Sequence, residues 1–274
     1  VHDLAFLRWP NLLTPEAARY YGQIHRAVRQ ARAIIAVSQA TRNDLLELTA
    51  ADPQRIEVIY EAPHPLFRPL TAIELQDLEA TLRSQGKLTR VPVTDVQVVL
   101  SVATLEPRKN LPALIRAFSL VRPQANSPQL WIAGGRGWLD SEILESIRTS
   151  PAAPRVTVLG EVSQEELLWL YNRATLVALP SLYEGFGLPA VEAMACGRPL
   201  LASNVPALAE VVASGGLLLP PDDLTAWSHA IQTVLDSDAA RTELSVRALA
   251  RSKAFSWQKA AQQTLRLYRR VLQL

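Results

Sequence analysis

With a single cysteine, Cys196, the 274-residue chain can form no internal disulfide and no cysteine-based zinc site. That usage fits a reducing, cytosolic setting. Cys196 falls in an expected helix, where a small buried packing residue is the plainer reading than a nucleophile. No apolar run approaches the ~18 residues of a membrane span. Acidic Asp3 and the broken pattern after it make no signal peptide. Net charge is nearly absent as well: 28 Lys and Arg against 26 Asp and Glu leave +2, so bulk charge gives no reason to expect nucleic-acid binding.

What is present is a globular composition, 49% apolar and 20% charged, in a chain long enough for more than one domain. One local imbalance stands between Ala17 and Asn43, where Arg19, Arg26, Arg29, Arg32 and Arg42 occur without any Asp or Glu. A solvated helix face is the plainer reading; a peripheral contact with an anionic membrane, or with an acceptor, is the other.

Thr14, Pro15 and Glu16 read as cap, first helical position and first-turn acid of a helix reaching about Arg32. "AIIAVS" is an expected strand, Ser38 caps the next helix, and "RIEVIY" is a second strand ending in proline-rich chain. Thr71 with Glu74 makes a capping box. From "VQVVLSVA" onward, six short apolar runs alternate with helices, the pattern of buried parallel strands joined by right-handed crossovers. Ser163 with Glu166 caps one of those helices, and Ser256 is expected to cap the last.

In open parallel sheets ligands gather beyond the carboxyl ends of the strands, so the loops there carry the chemistry. The first, "TLEPRKN", sets Arg108 and Lys109 just before a helix, where side-chain charge, backbone N–H groups and the helix dipole suit a phosphate. Two solvated cations would look the same. The second, "GGRGW", offers Gly134, Gly135 and Gly137, permissive backbone that suits either a tight turn or close approach to a ligand. The third is "YEGFGLPAVEAMACG". Gly185 and Gly187 bare backbone amides, Pro189 fits a first turn, and Glu192 is expected within about the first turn of the helix. Glu184 precedes it in the loop. Carboxylates accept hydrogen bonds, and the vicinal hydroxyls of a sugar and a ribose donate them. Two acids with cations and amides between them complement a nucleotide sugar.

The stretches "LEPRKNLPALIRAF", "LWIAGGRGW", "VTVLGEVSQEELLWLYNRATLVALPSLYEGFGLPAVEAMACGRPLLASNVPALAEVV" and "FSWQKAAQQTL" together resemble a bacterial glycosyltransferase of family 4. The resemblance implies an α/β, GT-B fold: two Rossmann-like doubly wound domains, the N-terminal one incomplete, with its first strands and glycine-rich acceptor loop lying before Val1. The implied division is 1–70 for the second half of the N-terminal domain, 71–95 for a linker helix and loop, 96–254 for the donor domain and 255–274 for a helix crossing back. The implied activity is transfer of a mannose- or glucose-type hexose, with retention, from a donor such as GDP-mannose to a saccharide or lipid-linked acceptor in cell-surface polysaccharide synthesis. Two alternatives stay open: a nucleotide-sugar-binding fragment without activity, and a GT-B epimerase or hydrolase.

By the same resemblance Glu184 meets the donor sugar and Glu192 the ribose, while Arg108 and Lys109 hold the diphosphate with the amides of Phe186, Gly187 and Leu188. Gly185 belongs to the same loop, Gly135 and Val162 lie near sugar or base, and His2 of "VHDL" faces the sugar. No cofactor and no metal site is implied. The motif "LPEV" common in the family reads Leu208-Ala209-Glu210-Val211 here.

Overall fold

The computed structural model describes residues 1–10, 15–92, 96–122, 127–137 and 139–273. In chain order the elements are α1 (Ala5–Arg8), α2 (Pro15–Tyr21), α3 (Ile24–Gln30), β1 (Ile34–Ala36), α4 (Gln39–Leu48), β2 (Ile56–Val58) and α5 (Ala72–Ser84). There follow β3 (Val98–Val102), α6 (Leu111–Ser119), β4 (Gln129–Ala133), α7 (Ser141–Thr149), β5 (Val156–Gly160), α8 (Gln164–Arg173), β6 (Leu176–Leu179) and α9 (Leu188–Ala195). The last are β7 (Leu200–Ser203), α10 (Pro206–Val212), β8 (Leu217–Leu219), α11 (Leu224–Asp236), α12 (Asp238–Ser252) and α13 (Trp257–Leu272).

The expected alternation yields a six-stranded parallel sheet in the order β5-β4-β3-β6-β7-β8, and β1 pairs with β2 in parallel as a separate two-stranded sheet. Its central strands read as unbroken apolar runs because helices cover both faces. On one face α6 turns Leu111, Leu114 and Phe118 inward beside Trp227 of α11. On the other, Trp131 of β4 stacks on Trp169 of α8 at 6.2 Å, next to Val191 and Met194 of α9. Cys196 is buried in that second layer and its thiol is pushed up to about 12 by burial, an inert packing residue. Strand order reverses between β3 and β6, the position at which a doubly wound sheet opens a crevice.

Both expected capping boxes form: Thr71 and Ser163 accept from the amides of Glu74 and Glu166, whose carboxylates bond back. Ser38 accepts from the amide of Thr41 at the start of α4. Two local expectations differ. The helix sought over 14–32 breaks into α2 and α3 around Gly22 and Gln23, where the Gln23 amide turns back to the Tyr20 carbonyl. Glycine is the weakest helix former there short of proline. The Thr14 cap lies outside the described residues. Ser256 stands at the start of α13, but its hydroxyl makes no cap bond. Of the five arginines, Arg19, Arg26, Arg29 and Arg32 are exposed and Arg42 is half-buried.

Several contacts join the two sheets. The α13 helix sets Ala260, Leu267 and Val271 against Ala33, Ile35 and Ile59, and Arg270 pairs with Glu57 at 2.5 Å. Glu210 of α10 caps α4 from across the molecule, accepting from the amides of Gln39 at 2.7 Å and Ala40 at 3.0 Å. That is a carboxylate at the positive end of a helix. Tyr183 donates to Asp44 of α4 at 2.5 Å and accepts from the Leu4 amide at 3.1 Å, while Arg8 holds the other Asp44 oxygen. Replacing Glu210 with Ala orphans two helix amides. The expected cost is about 1–2 kcal/mol, a drop of roughly 5 °C in melting temperature by calorimetry; an unchanged melting point would mean that water replaces the carboxylate.

Candidate active site

The site is assembled by side chains that pin one strand-end loop to another. After β3 the chain makes a short turn over Pro107–Lys109, closed by Asn110 in the left-handed region at φ 53°. The Asn110 amide donates to the Pro180 carbonyl at 3.2 Å and to that of Pro221 at 2.9 Å. One side chain thus ties the loops following β3, β6 and β8. The Leu182 amide returns to the Arg108 carbonyl at 2.8 Å, which fixes the turn against the loop that carries Glu184.

Within this frame Lys109 Nζ lies 2.7 Å from Glu184 Oε1, and Ser181 Oγ donates to the same oxygen at 2.7 Å. Arg108 reaches Glu184 Oε2 at 3.4 Å and Glu106 at 2.7 Å. The side chains of Lys109 and Glu184 are only 10% and 11% exposed. Two cations and two carboxylates therefore share a nearly dry pocket where Coulomb forces are strong. Burial opposes the charge on Glu184, but Lys109 and Arg108 outweigh it and hold the carboxyl below its ordinary range. Glu106 is pushed upward, because burial there exceeds the pull of Arg108 and Lys109. Of these groups, Ser181, Glu106 and Asn110 had no assigned role in the sequence. Ser181 stands three residues before Glu184 and Glu106 opens "EPRKN", but neither placement alone says which loop it will face.

The glycine loop divides its labour. At Gly185 an added Cβ would lie 1.7 Å from the His2 carbonyl oxygen, so this glycine is required by the close passage of the N-terminal segment. Its own carbonyl accepts from Ser38 at 2.5 Å and Thr41 at 3.0 Å. Phe186 buries its ring against Tyr60 and Phe255. Gly187 takes φ 100° as the residue before α9, a conformation that favours glycine. The amides of Phe186, Gly187 and Leu188 have no acceptor among the described residues. Together with the start of α9 they form a set of free donors suited to an anion.

Glu192 departs from its expected place. It lies in the second turn of α9, with no acid in the first, because the helix starts at Leu188. Tyr171 of α8 donates to Glu192 Oε2 at 2.9 Å. Burial raises the carboxyl to about 7, with the phenol pulling the other way. No side chain among the described residues bonds both Glu184 and Glu192.

The remaining candidates fall in two cavities. His2, Glu106 and Arg108 line a cleft of ≈ 700 Å³ whose walls include Phe6, Trp9, Tyr20 and Tyr21. His2 Nδ1 lies 3.0 Å from Glu61 Oε1, a partner the sequence did not suggest. Gly135 and Val162 line a second cavity of ≈ 570 Å³ with Arg90, Arg136 and Glu161. Gly134 serves packing instead: at φ 150° an added Cβ would strike the Ala103 carbonyl oxygen at 2.0 Å. The triplet Asp236-Ser237-Asp238 has the form of an Asp-x-Asp metal motif. It sits at the α11–α12 junction, where Ser237 caps α12 and Asp238 pairs with Arg241.

A family model for glycosyl transferases group 1 matches residues 90–251. The O-antigen chain mannosyltransferase B of Escherichia coli is 31% identical over 270 residues, covering 98% of this chain and 68% of that protein. A D-inositol 3-phosphate glycosyltransferase of Nocardioides sp. (strain ATCC BAA-499 / JS614) is 35% identical over 282 residues, covering 94% of this chain and 58% of its own length. Among solved structures, Anabaena Alr3699/HepE in complex with UDP-glucose superposes with a TM-score of 0.76 at 23% identity, covering 97% of this chain and 70% of that one. The chain thus spans between about three fifths and two thirds of these proteins. Matched over most of its length by the family model and by the mannosyltransferase, the chain belongs to glycosyltransferase family 4, the glycosyl transferases of group 1, and has the GT-B fold.

Proposed function

We propose that this chain carries the donor half of a retaining hexosyltransferase that moves a mannose- or glucose-type sugar from a nucleoside diphosphate sugar to a saccharide or lipid-linked acceptor. The observation that carries the reading is the buried Lys109–Glu184–Arg108 cluster beside the free amides of Phe186, Gly187 and Leu188. In this reading residues 96–254 are the donor domain, and residues 1–70 belong to an acceptor-side domain joined by the 71–95 linker.

The diphosphate lies on the amides at the start of α9 and on Arg108 and Lys109. These groups neutralise its charge as it departs, the role of preorganised donors aimed at developing negative charge. Glu184 Oε1 is filled by Lys109 and Ser181, so Oε2 is the oxygen offered to a sugar hydroxyl. Glu192 takes the ribose hydroxyls, and the cavity of Gly135 and Val162 takes the base. His2, with Glu61 behind it, faces the donor sugar from the cleft that the acceptor enters. The bond from the anomeric carbon to the phosphate oxygen breaks as the bond to the acceptor oxygen forms on the same face. The acceptor hydroxyl proton passes to the departing diphosphate.

Support for a mannose-type donor comes from the name of the Escherichia coli relative, and for a nucleotide glucose from the ligand of the Anabaena structure. The test is a thermal-shift panel of GDP-mannose and UDP-glucose, followed by donor turnover with and without a mannosyl lipid acceptor. Binding of one donor, with turnover only when acceptor is present, is the expected result. Turnover without acceptor favours an epimerase or hydrolase. Binding with no turnover in the longest natural form favours a binding module.

A further inference from the structure

Tyr171 is fully buried, yet its hydroxyl is committed to a group at the rim of the candidate site. It donates to Glu192 Oε2 at 2.9 Å and lies 3.4 Å from the Pro189 carbonyl. The other Glu192 oxygen has no partner among the described residues. The phenol thus fixes the rotation of the carboxylate and leaves one oxygen for a ligand.

Tyr171 is itself held from outside its own helix. Phe67, in the segment that follows β2, meets the Tyr171 ring edge-on at 5.6 Å. The next residue of α8, Asn172, clamps the same segment: its oxygen accepts from the Leu70 amide at 2.9 Å, and its nitrogen donates to the Arg68 carbonyl at 3.1 Å. The segment between the two sheets therefore grips α8 at the position where α8 grips Glu192. A ring locked by packing, with a polar tip on a ligand-facing group, is the arrangement by which a supporting side chain keeps a binding group in one geometry.

We infer that Tyr171 is a positioning residue, held by the segment joining the two sheets, that orients Glu192 for a vicinal diol of the donor nucleotide. The inference rests on the proposed contact between Glu192 and the ribose. A carboxylate with one oxygen anchored presents the other at a fixed distance. A carboxylate free to rotate surrenders part of that binding to the entropy of ordering it.

The groups that set the protonation of Glu192 are few. Tyr171 faces it from α8, and Cys196 stands one turn on, at the C-terminal end of α9, with its thiol protonated. Arg198 is spent on the carbonyls of Cys196 and Asn172. Burial holds Glu192 at about 7 against the phenol, which favours the charged form. Removing the phenol hydrogen bond therefore moves the midpoint upward. Binding that needs the carboxylate strengthens as pH rises through that midpoint.

The experiment is calorimetric binding of GDP and UDP, and of the 2′,3′-dideoxy form of whichever binds more tightly, between pH 5.5 and 8.5. Wild-type protein is compared with Tyr171→Phe, Phe67→Leu and Glu192→Gln, each checked for a cooperative melt. The wild type is expected to prefer the ribonucleotide by about tenfold, the worth of one charge-assisted hydrogen bond, increasingly so above pH 7. In Tyr171→Phe the preference falls to about threefold or less and its pH midpoint rises. Phe67→Leu, which keeps the hydroxyl and loosens the ring, loses part of the preference. Full preference with an unmoved midpoint in both variants overturns the positioning role. A wild type that prefers neither nucleotide, or a Glu192→Gln protein that keeps the wild-type preference, overturns the ribose contact itself and the inference with it.

Discussion

Replacing Lys109 with Met lowers kcat/KM for sugar transfer by about 10²–10³-fold, the loss that follows removal of one preorganised donor to developing negative charge. The same change destabilises the chain by about 3 kcal/mol, because it leaves a buried carboxylate without its principal cation. Both effects come from one contact, the 2.7 Å pair of Lys109 and Glu184 in a pocket where each side chain is nearly buried. They separate in the double variant. Lys109→Met with Glu184→Gln removes the pair whole, and Ser181 can still donate to the carboxamide oxygen, so most of the lost stability returns while transfer stays lost. The pH dependence follows the same logic. Glu184 is held below its ordinary carboxyl value, so its stabilisation is complete above the unfolded-state value and is lost as pH falls through the folded one. Chemical denaturation should show a shallower acid limb for Lys109→Met than for the wild type, and initial-rate kinetics the loss of transfer. A single variant as stable as the wild type would mean that water reaches Glu184 and that the pocket is not dry. A single variant with full activity would remove Lys109 from the diphosphate.

The pair also marks how far the sequence could be read. Lys109 and Glu184 are each legible as unusual, one beside a helix start and one in a glycine loop, but nothing local says that they touch. Their meeting depends on β3 lying beside β6, and strand order is a property of the whole sheet. Elements whose cause is local were legible: six apolar runs became six strands, and Thr71 with Glu74 and Ser163 with Glu166 became capping boxes. Contacts across the chain were not. Glu210 stood in a motif that differed from its family only at Ala209, and its work is to cap a helix 171 positions away. Tyr171 carried no assigned role, since the core face of a helix does not announce which ring ends in a committed hydroxyl. The misplacement of Glu192 has a smaller cause. Pro189 is a first-turn residue, which puts an acid three residues later beyond the first turn, where burial rather than the helix dipole governs its charge.

Gly185→Ala should separate the donor from the acceptor side of the same loop. An alanine Cβ at this position falls 1.7 Å from the His2 carbonyl oxygen and 2.8 Å from Asp3 Cβ. The first is backbone that cannot rotate away. Relief requires the loop and the N-terminal segment to part, and the carbonyl of residue 185 then leaves the hydroxyls of Ser38 and Thr41. Overpacking of this kind costs about 1–3 kcal/mol, and the melting temperature falls accordingly. The catalytic cost is of similar size, because a shift of about 1 Å in a reacting group lowers the rate by about 10²-fold. The shift falls on His2 and on the cleft it shares with Glu106 and Arg108. Lys109 is spared, since Asn110 fastens its turn to Pro180 and Pro221 rather than to the glycine. Affinity for the nucleoside diphosphate alone, read by calorimetry, should therefore fall less than transfer, because Lys109 keeps its hold while the amides of residues 186–188 move with the loop, and transfer falls by about 10²-fold. Equal losses of binding and transfer would show that the glycine supports the diphosphate as well, and that the loop moves as one body.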